Sequence, residues 1–340
     1  MTRWLGACHS GARRGPSRRP WLRLHGACLF LTTLAPRDTG HPYDGRKLSN
    51  RVYPGVIALI KLVLSDMDNT LIPFGARHVS PRTLEAIHDV VNAGIHFGPD
   101  TGRDYVELMR FFHMDESCFM TGIMSNGKRV RVDGKDVKTY VIPHEWLQRI
   151  ADALKPERGM FLVCFPMDTN LFNPGYVVGA SEEEMNEYER LVHFNGGRVE
   201  DVPELDFIAA AIACNGDEKR HAYCQRLVAE ACPEMETVMA VPNWFDVLPK
   251  GINKASALDT ILDAVGATRD EVVVFGDSGN DVAILSEVHY SVAVANATDE
   301  VKGVCNFRCG ASADEGVADA LFEIARAARA HEVPAFLREE

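Results

Sequence analysis

Residues 66–71 (DMDNTL) follow directly on the apolar run 62–64 (LVL). A short apolar run of this kind predicts a buried β-strand, so Asp66 and Asp68 stand two residues apart where that strand should end. Close carboxylates repel each other and resist ionising together unless a cation or a proton lies between them. The pattern predicts a site for Mg²⁺ and phosphate, and the simpler alternative is an acidic turn that caps the strand.

A helix and a second strand are predicted soon after this acidic stretch. Ser80 followed by Pro81 is a strong helix start, because serine caps an N-terminus and proline fits the first helical position. Gly94 predicts the end of that helix, and residues 95–98 predict a strand. The order strand, helix, strand indicates a right-handed βαβ unit. The predicted fold class is therefore α/β, with a Rossmann-like, doubly wound parallel sheet.

Three further polar clusters are predicted at strand ends or helix starts. Residues 101–103 (TGR) follow the second strand, Lys254 opens a helical pattern, and residues 276–281 (GDSGND) follow the apolar strand 271–275. Glycine lets a backbone approach a ligand closely, and a helix N-terminus favours an anion. A lysine there opposes the helix dipole, so Lys254 is expected to meet a phosphate or a carboxylate, with an exposed lysine as the alternative. Because ligands of open α/β sheets bind beyond the carboxyl ends of the strands, these clusters predict one shared site.

Charge and cysteine usage limit the classes of partner. The chain of 340 residues has a net charge of −12, with +8 in residues 1–60 and −20 in the remainder. An acidic body argues against nucleic acid as a partner, since phosphate backbones need a basic face. The nine cysteines form no C-x-x-C pair and no zinc-like spacing, which favours reduced thiols in a cytoplasmic protein.

Residues 1–57 are rich in Arg, Gly and Pro and show neither helical nor strand periodicity. We predict a disordered or spurious N-terminal extension. The alternative is export, because arginines followed by the apolar run 24–35 resemble a weak secretory signal. That run is too short to span a bilayer, so no stable membrane association is expected.

The four clusters in this order resemble the haloacid dehalogenase superfamily of aspartate-nucleophile phosphatases. The match consists of D-x-D-x-T at 66–70, T-G-R at 101–103, the helix-start Lys254 and G-D-x-x-N-D at 276–281. Residues 125–127 (SNG), 296–297 (NA) and 314–318 (DEGVA) also resemble landmarks of the Cof-type subfamily, whose members carry a large α/β cap. One departure is FGPD at 97–100, where the family usually has an apolar strand and proline would be poor in a central strand.

This resemblance implies catalytic and metal-binding roles. Asp66 would be the nucleophile that forms an aspartyl-phosphate, and Asp68 would protonate the leaving alcohol and then take a proton from the attacking water. Mg²⁺ would be held by Asp66, Asp277 and the backbone carbonyl of Asp68, with Asp281 and Asn280 beside the ion or its waters.

The resemblance also implies a phosphate site. Lys254 and Thr101, with the backbone of Gly102, would hold the phosphoryl oxygens as charge develops, and Asn280 is assigned to the same site. Arg103 would either contact this site or brace the following helix.

The resemblance further implies two core segments separated by an inserted α/β cap. The segments are 58–128 for the first part of the core, 129–244 for the cap and 245–335 for the second part of the core. In the cap, a strand is expected near 137–142 and helices near 144–154 and 182–194. Residues 242–248 resemble the strand that returns to the core.

The function that follows is a Mg²⁺-dependent phosphatase acting on a small phosphorylated metabolite, such as a sugar phosphate or a phosphorylated cofactor precursor. Two alternatives stay open at this point. A hexose phosphomutase would share the same core, and a regulator would bind a phosphorylated metabolite without turning it over.

Overall fold

The computed structural model describes residues 60–167, 175–186, 197–241 and 243–338. The predicted N-terminal extension lies outside these residues. Within them, the helices are all too short or too polar to cross a membrane. The strands of the described residues are, in chain order, β1 (Leu62–Ser65), β2 (His96–Pro99), β3 (Gly122–Met124), β4 (Arg129–Val132), β5 (Lys135–Thr139), β6 (Met160–Pro166), β7 (Tyr176–Val178), β8 (Gly197–Val199), β9 (Phe207–Cys214), β10 (Met235–Val241), β11 (Trp244–Pro249), β12 (Val272–Gly276), β13 (Tyr290–Val294) and β14 (Phe307–Cys309).

Helices separate many of these strands. In the described residues they include α1 (Pro81–Asn92), α2 (Tyr105–Phe111), α3 (His144–Leu154), α4 (Glu218–Ala231), α5 (Leu258–Val265), α6 (Val282–Leu285), α7 (Asp299–Val304) and α8 (Gly316–Ala330). Residues 182–186 are also helical, at the start of the helix expected at 182–194, and its remainder, 187–194, lies outside the described residues. The helix expected near 144–154 is confirmed as α3.

Five strands form a parallel sheet in the order β14-β13-β12-β1-β2. Every residue of β1, β12 and β13 is buried, which explains their continuous apolar sequences. Because all five strands run in one direction, their carboxyl ends meet at one edge of the sheet. The predicted parallel α/β core is confirmed.

Helix α1 begins and ends where its sequence predicts. The Ser80 hydroxyl accepts a hydrogen bond from the Thr83 N–H at 3.0 Å, and Pro81 occupies the first helical position. One face of the helix, including Ile87 and Val90, is buried against the sheet. Gly94 follows the helix with a φ of +83°, a conformation that favours glycine.

Proline is tolerated in β2 because this strand lies at the end of the five-stranded order. The Asp100 N–H donates to the Ser65 carbonyl at 2.8 Å, so the preceding nitrogen, that of Pro99, faces away from β1. Gly98 is required by crowding, since a Cβ there would lie 2.1 Å from the Thr121 oxygen. The strand predicted at 95–98 is therefore present, and the departure at FGPD is accommodated because the strand lies at the edge of the sheet.

A second, six-stranded sheet has the order β10-β11-β9-β6-β7-β8 and is antiparallel except for the β7–β8 pair. Helices α3 and α4 pack on it through a separate apolar cluster that begins at Ile142 and ends at Val247. A third sheet of three strands, β3-β4-β5, is antiparallel.

Strand pairing and packing bear on the predicted boundaries at 129 and 244. Val130 and Val132 belong to the same apolar cluster as Leu64 of β1, whereas Ile142 belongs to the six-stranded sheet's cluster. The strand expected to return to the core, β11, pairs with β9 and β10 instead. The division into core and cap remains a proposal, and we place its boundaries near 140 and 250.

Candidate active site

Asp66 lies at the carboxyl end of β1, directly beside β12. Its N–H donates to the Phe275 carbonyl at 3.0 Å, which continues the pairing of the two strands, and its own carbonyl accepts from the Leu71 N–H at 3.2 Å. The side chain is buried, and this burial raises the pKa of Asp66 well above its ordinary value, although Lys254 opposes the shift.

Lys254 is the buried cation of the site. Its Nζ lies 2.7 Å from Asp66 Oδ1, 2.6 Å from Asp281 Oδ1 and 4.0 Å from Asp100 Oδ2. Burial alone would lower the pKa of this lysine. Attraction to Asp281, Asp66 and Asp100 outweighs burial and raises that pKa well above its ordinary value. These contacts show that Lys254 meets carboxylates and not solvent, which is one of the outcomes expected from the sequence.

Asp277 follows β12 and is oriented by residues of the first acidic stretch. Its carboxylate accepts hydrogen bonds from Asn69 Nδ2 at 2.8 Å and from Thr70 Oγ1 at 3.1 Å. These contacts give the Asn and Thr of DMDNTL a role that the sequence reasoning missed. Their position in the motif could have indicated this role, because an Asn and a Thr directly after two carboxylates can donate hydrogen bonds to a third carboxylate.

Asp281 closes the turn after β12. Its Oδ2 accepts from the backbone N–H groups of Asp277 at 3.1 Å and Ser278 at 3.2 Å, while its Oδ1 contacts Lys254. Gly276 makes room for this turn, because a Cβ there would lie 2.7 Å from the Cβ of Asp281.

The carboxylates of Asp66, Asp277 and Asp281 fit a divalent cation. One oxygen from each lies within 4.8 Å of the others, and all three residues are buried. Burial also raises the pKa of Asp277. Three buried carboxylates face a single lysine, so the group carries an excess of negative charge that a hard cation such as Mg²⁺ would neutralise through oxygen ligands.

The Asp68 carboxylate lies on the exposed side of the site, apart from those three carboxylates. Arg103 donates to both of its oxygens, from Nε at 2.9 Å and from Nη2 at 2.8 Å. The guanidinium also lies over the Phe111 ring at 4.2 Å and donates to Glu107 at 3.3 Å. Arg103 therefore braces helix α2 and holds Asp68, which combines the two roles left open for it.

Thr101 and Gly102 lie between β2 and the chain segment that follows β3. The Thr101 N–H donates to Ile123 at 2.9 Å, and its hydroxyl accepts from the Arg103 N–H at 3.2 Å. A Cβ on Gly102 would lie 3.1 Å from Asn126 Nδ2, so this glycine also permits tight packing. Asn280 is exposed, and its side-chain oxygen accepts from Ser278 Oγ at 2.8 Å. Phosphate binding by Thr101, Gly102, Lys254 and Asn280 stays a prediction.

Asp100 is a further carboxylate beside the site, and no role was predicted for it. It is fully buried, and neither carboxylate oxygen has a hydrogen-bond partner among the described residues. Burial raises its pKa to about 7, against the attraction of Lys254.

Residues 126–127 bring the site close to the six-stranded sheet. Asn126 Nδ2 donates to Asp246 of β11 at 3.3 Å. Gly127 has a φ of +89°, and a Cβ on it would lie 2.1 Å from the Asn253 oxygen, next to Lys254. Another predicted landmark, Asn296, donates to the Asn69 carbonyl at 2.7 Å. Of these landmarks, Asn296 contacts the acidic stretch, and residues 126–127 contact β11 and the turn before Lys254.

Comparison with known proteins agrees with this geometry. The family model described as haloacid dehalogenase-like hydrolase matches residues 63–321. The chain is 24% identical over 278 residues to the 5-amino-6-(5-phospho-D-ribitylamino)uracil phosphatase YbjI of Escherichia coli, covering 81% of this chain and 98% of that protein. It is 25% identical over 265 residues to the phosphatase YcsE of Bacillus subtilis, which has the same substrate in its name, covering 77% and 94%.

Solved structures share the fold. BT1666 from Bacteroides thetaiotaomicron, a phosphatase of this superfamily, superposes with a TM-score of 0.65 at 22% identity, covering 81% of this chain and 98% of that one. The subclass IIB sugar phosphatase BT4131 gives a TM-score of 0.61 at 22% identity, covering 77% and 97%. The resemblance found in the sequence is confirmed: the chain belongs to the haloacid dehalogenase-like hydrolases and is a phosphatase of that family.

Proposed function

We propose that the protein is a Mg²⁺-dependent phosphatase that hydrolyses a small phosphorylated metabolite through an aspartyl-phosphate on Asp66. The observation that carries this proposal is the contact of Lys254 with both Asp66 and Asp281. It places a fixed positive charge beside a carboxylate that ends a strand, where an anionic phosphoryl group can approach a nucleophile.

The reaction has two steps. An Asp66 oxygen attacks phosphorus in line, the phosphorus–oxygen bond to the alcohol breaks, and Asp68 gives its proton to the departing alcohol. Asp68 then takes a proton from a water molecule, whose oxygen attacks phosphorus and releases Asp66 and inorganic phosphate. The separate environments of the two carboxylates suit these roles, because Asp66 is buried beside a cation and Asp68 faces solvent.

The surrounding residues orient the reacting groups. Lys254 holds Asp66 Oδ1 at 2.7 Å and would stabilise the phosphoryl oxygens together with Thr101 and Gly102. Mg²⁺, when bound by the carboxylates of Asp66, Asp277 and Asp281 and the carbonyl of Asp68, would neutralise charge on the phosphoryl group. Asn69 and Thr70 fix the orientation of Asp277 by donating to both of its oxygens.

The proposed substrate class rests on the names of the relatives. Two of them are named for a phosphate ester of a ribityl chain attached to an aminouracil, and a structural neighbour is named a sugar phosphatase. All three names describe a phosphate on a polyhydroxylated carbon chain. We therefore propose 5-amino-6-(5-phospho-D-ribitylamino)uracil as the first substrate to test, with sugar phosphates second. The six-stranded sheet and its helices would cover the site and supply the pocket for the rest of the substrate.

Phosphate release from a panel of phosphorylated metabolites, with Mg²⁺ present, tests this proposal. We expect turnover of at least one ribityl or sugar phosphate, and a loss on the order of 10⁴-fold or more in Asp66→Asn. Asp270→Asn, an exposed Asp outside the site, is the matched control and should keep full activity. Full activity of Asp66→Asn would refute the nucleophile. An isomerised phosphate ester in place of free phosphate would indicate a mutase, and binding without turnover would indicate a regulator.

A further inference from the structure

A second cluster of potential metal ligands lies away from the active-site carboxylates. His88 on helix α1 meets Asp115 and Cys118, which flank the short turn before β3. His88 Nε2 lies 2.8 Å from Asp115 Oδ2 and 3.5 Å from Cys118 Sγ, and one ligand atom from each residue lies within 4.8 Å of the others. Sequence patterns did not predict this cluster, because the spacing rules for zinc sites require paired cysteines or histidines.

These distances suit a tetrahedral ion. Zinc binds nitrogen and carboxylate oxygen at about 2.0–2.2 Å and thiolate sulfur at about 2.3 Å, so ligand atoms of one tetrahedron lie roughly 3.3–3.6 Å apart. The His88–Cys118 separation already has that value, and the His88–Asp115 separation needs to widen by about 0.5 Å for the same tetrahedron. One nitrogen, one oxygen and one sulfur form a donor set that favours zinc over magnesium.

The Asp115 carboxylate is oriented for such a role. Its Oδ1 accepts from the Ser117 N–H at 3.2 Å and from the Ser117 hydroxyl at 2.5 Å, and its Oδ2 points to His88. Hydrogen bonds of this kind fix a metal ligand in place. His88 and Asp115 are partly exposed while Cys118 is buried. A water molecule can therefore complete the coordination from the solvent side.

We propose that His88, Asp115 and Cys118 form a zinc site that joins helix α1 to the turn at 115–118. The ion would connect two segments that are 27 to 30 residues apart in the chain. Its role would be to stabilise the fold, since none of the three residues belongs to the carboxylate group around Lys254. This inference is independent of the proposed phosphatase mechanism.

Binding must displace a proton from the thiol. An ordinary cysteine thiol is protonated at neutral pH, whereas zinc binds the thiolate. Each bound metal ion should therefore release one proton, which a pH indicator in weak buffer measures.

Cobalt substitution tests the site directly. The full chain, stripped with a chelator and supplied with excess Mg²⁺, is titrated with Co²⁺ and followed by absorption. We expect a thiolate-to-cobalt charge-transfer band that saturates at one ion per chain and disappears when one equivalent of Zn²⁺ is added. The active-site group contains only oxygen ligands and cannot give that band.

Two variants and a control make the result decisive. Cys118→Ser and His88→Gln should lose the band, and the rise in unfolding temperature that Zn²⁺ gives the unmodified chain should be absent in both. Cys305→Ser, which changes another buried cysteine, should keep both signals. Absence of the band in the unmodified chain, or its persistence in Cys118→Ser, would overturn the proposal. If the cluster is only a hydrogen-bonded His–Asp pair beside an unreactive thiol, the unmodified chain should give no band.

Discussion

Asp66 and Asp68 are two residues apart in the chain, yet their carboxylates lie in opposite environments. Asp66 is buried and contacts Lys254, which is 1% exposed. The side chain of Asp68 is 49% exposed and is paired with Arg103. Charges interact far more strongly inside a protein than at its surface. The buried side of the site, Asp66 with Lys254, should therefore contribute most to stability. The exposed side, Asp68 with Arg103, should affect the chemistry alone.

Removing the buried cation should have the largest effect on stability. Lys254→Met leaves Asp66 and Asp281 without their counter-charge, and breaking a buried ion pair costs about 3–5 kcal/mol. Urea unfolding at pH 7.5 in the presence of a chelator measures this loss. Lys250→Met, at an exposed position, is the matched control.

The same variant has a predictable pH dependence. Unpaired buried carboxylates have folded-state pKa values above their unfolded values, so they stabilise the fold when protonated and destabilise it as the pH rises. The stability lost in Lys254→Met should thus be smaller at pH 5 than at pH 7.5. A loss below about 1 kcal/mol at both pH values would contradict the importance of the buried side.

Neutralising Asp100 should have an intermediate effect, in the stabilising direction. The folded-state pKa of Asp100 is about 7, above the ordinary value of 3.8. Its protonated form is therefore favoured in the folded state, and that stabilisation is complete below pH 3.8 and lost as the pH rises towards 7. Asp100→Asn stays neutral throughout.

The gain from Asp100→Asn should accordingly be small near pH 4 and grow to at most roughly 4 kcal/mol at pH 8. Urea unfolding without metal, at several pH values, measures it, with Asp270→Asn as the control for an exposed Asp. A gain that is equal at all pH values would show that the ionisation of Asp100 does not destabilise the fold.

The smallest effect on stability is expected on the exposed side. Asp68→Asn removes a surface ion pair with Arg103, so the free energy of unfolding should change by less than about 1 kcal/mol. The value of kcat should still fall by about 10²–10⁴-fold, because general acid–base catalysis is lost. Initial rates measure the loss in kcat, and urea unfolding of the same preparation measures the change in stability. If Asp68→Asn lost as much stability as Lys254→Met, the exposed carboxylate would contribute as much to stability as the buried group.

The sequence predicted those parts of the molecule that depend on local patterns. The bounds of α1 follow from Ser80, Pro81 and Gly94, and α3 begins and ends where expected. The clusters at 66–71, 254 and 276–281 meet at one edge of the parallel sheet because parallel strands end together.

The remaining features depend on contacts that sequence patterns do not contain. The burial of Asp100 results from packing among segments far apart in the chain. The membership of β11 in the second sheet depends on which neighbours its backbone finds, and an apolar strand fits either sheet equally well. The donors Asn69 and Thr70 became visible once Asp277 was located beside them.

The pairing of β1 with β12 also determines when the site can form during synthesis. Asn69 and Asp277 are hydrogen-bonded although they are 208 positions apart, and the described strands of the second and third sheets lie between them in the sequence. On the ribosome, β1 can pair early with β2, but its other edge and the acidic stretch lack β12 and Asp277 until β12 emerges, while strands β6 to β11 can already pair. Long-range parallel pairing is slow and exposes apolar strands to aggregation. The catalytic centre therefore forms late in synthesis, after the strands of the second and third sheets have emerged, and one edge of β1 is exposed to aggregation until then.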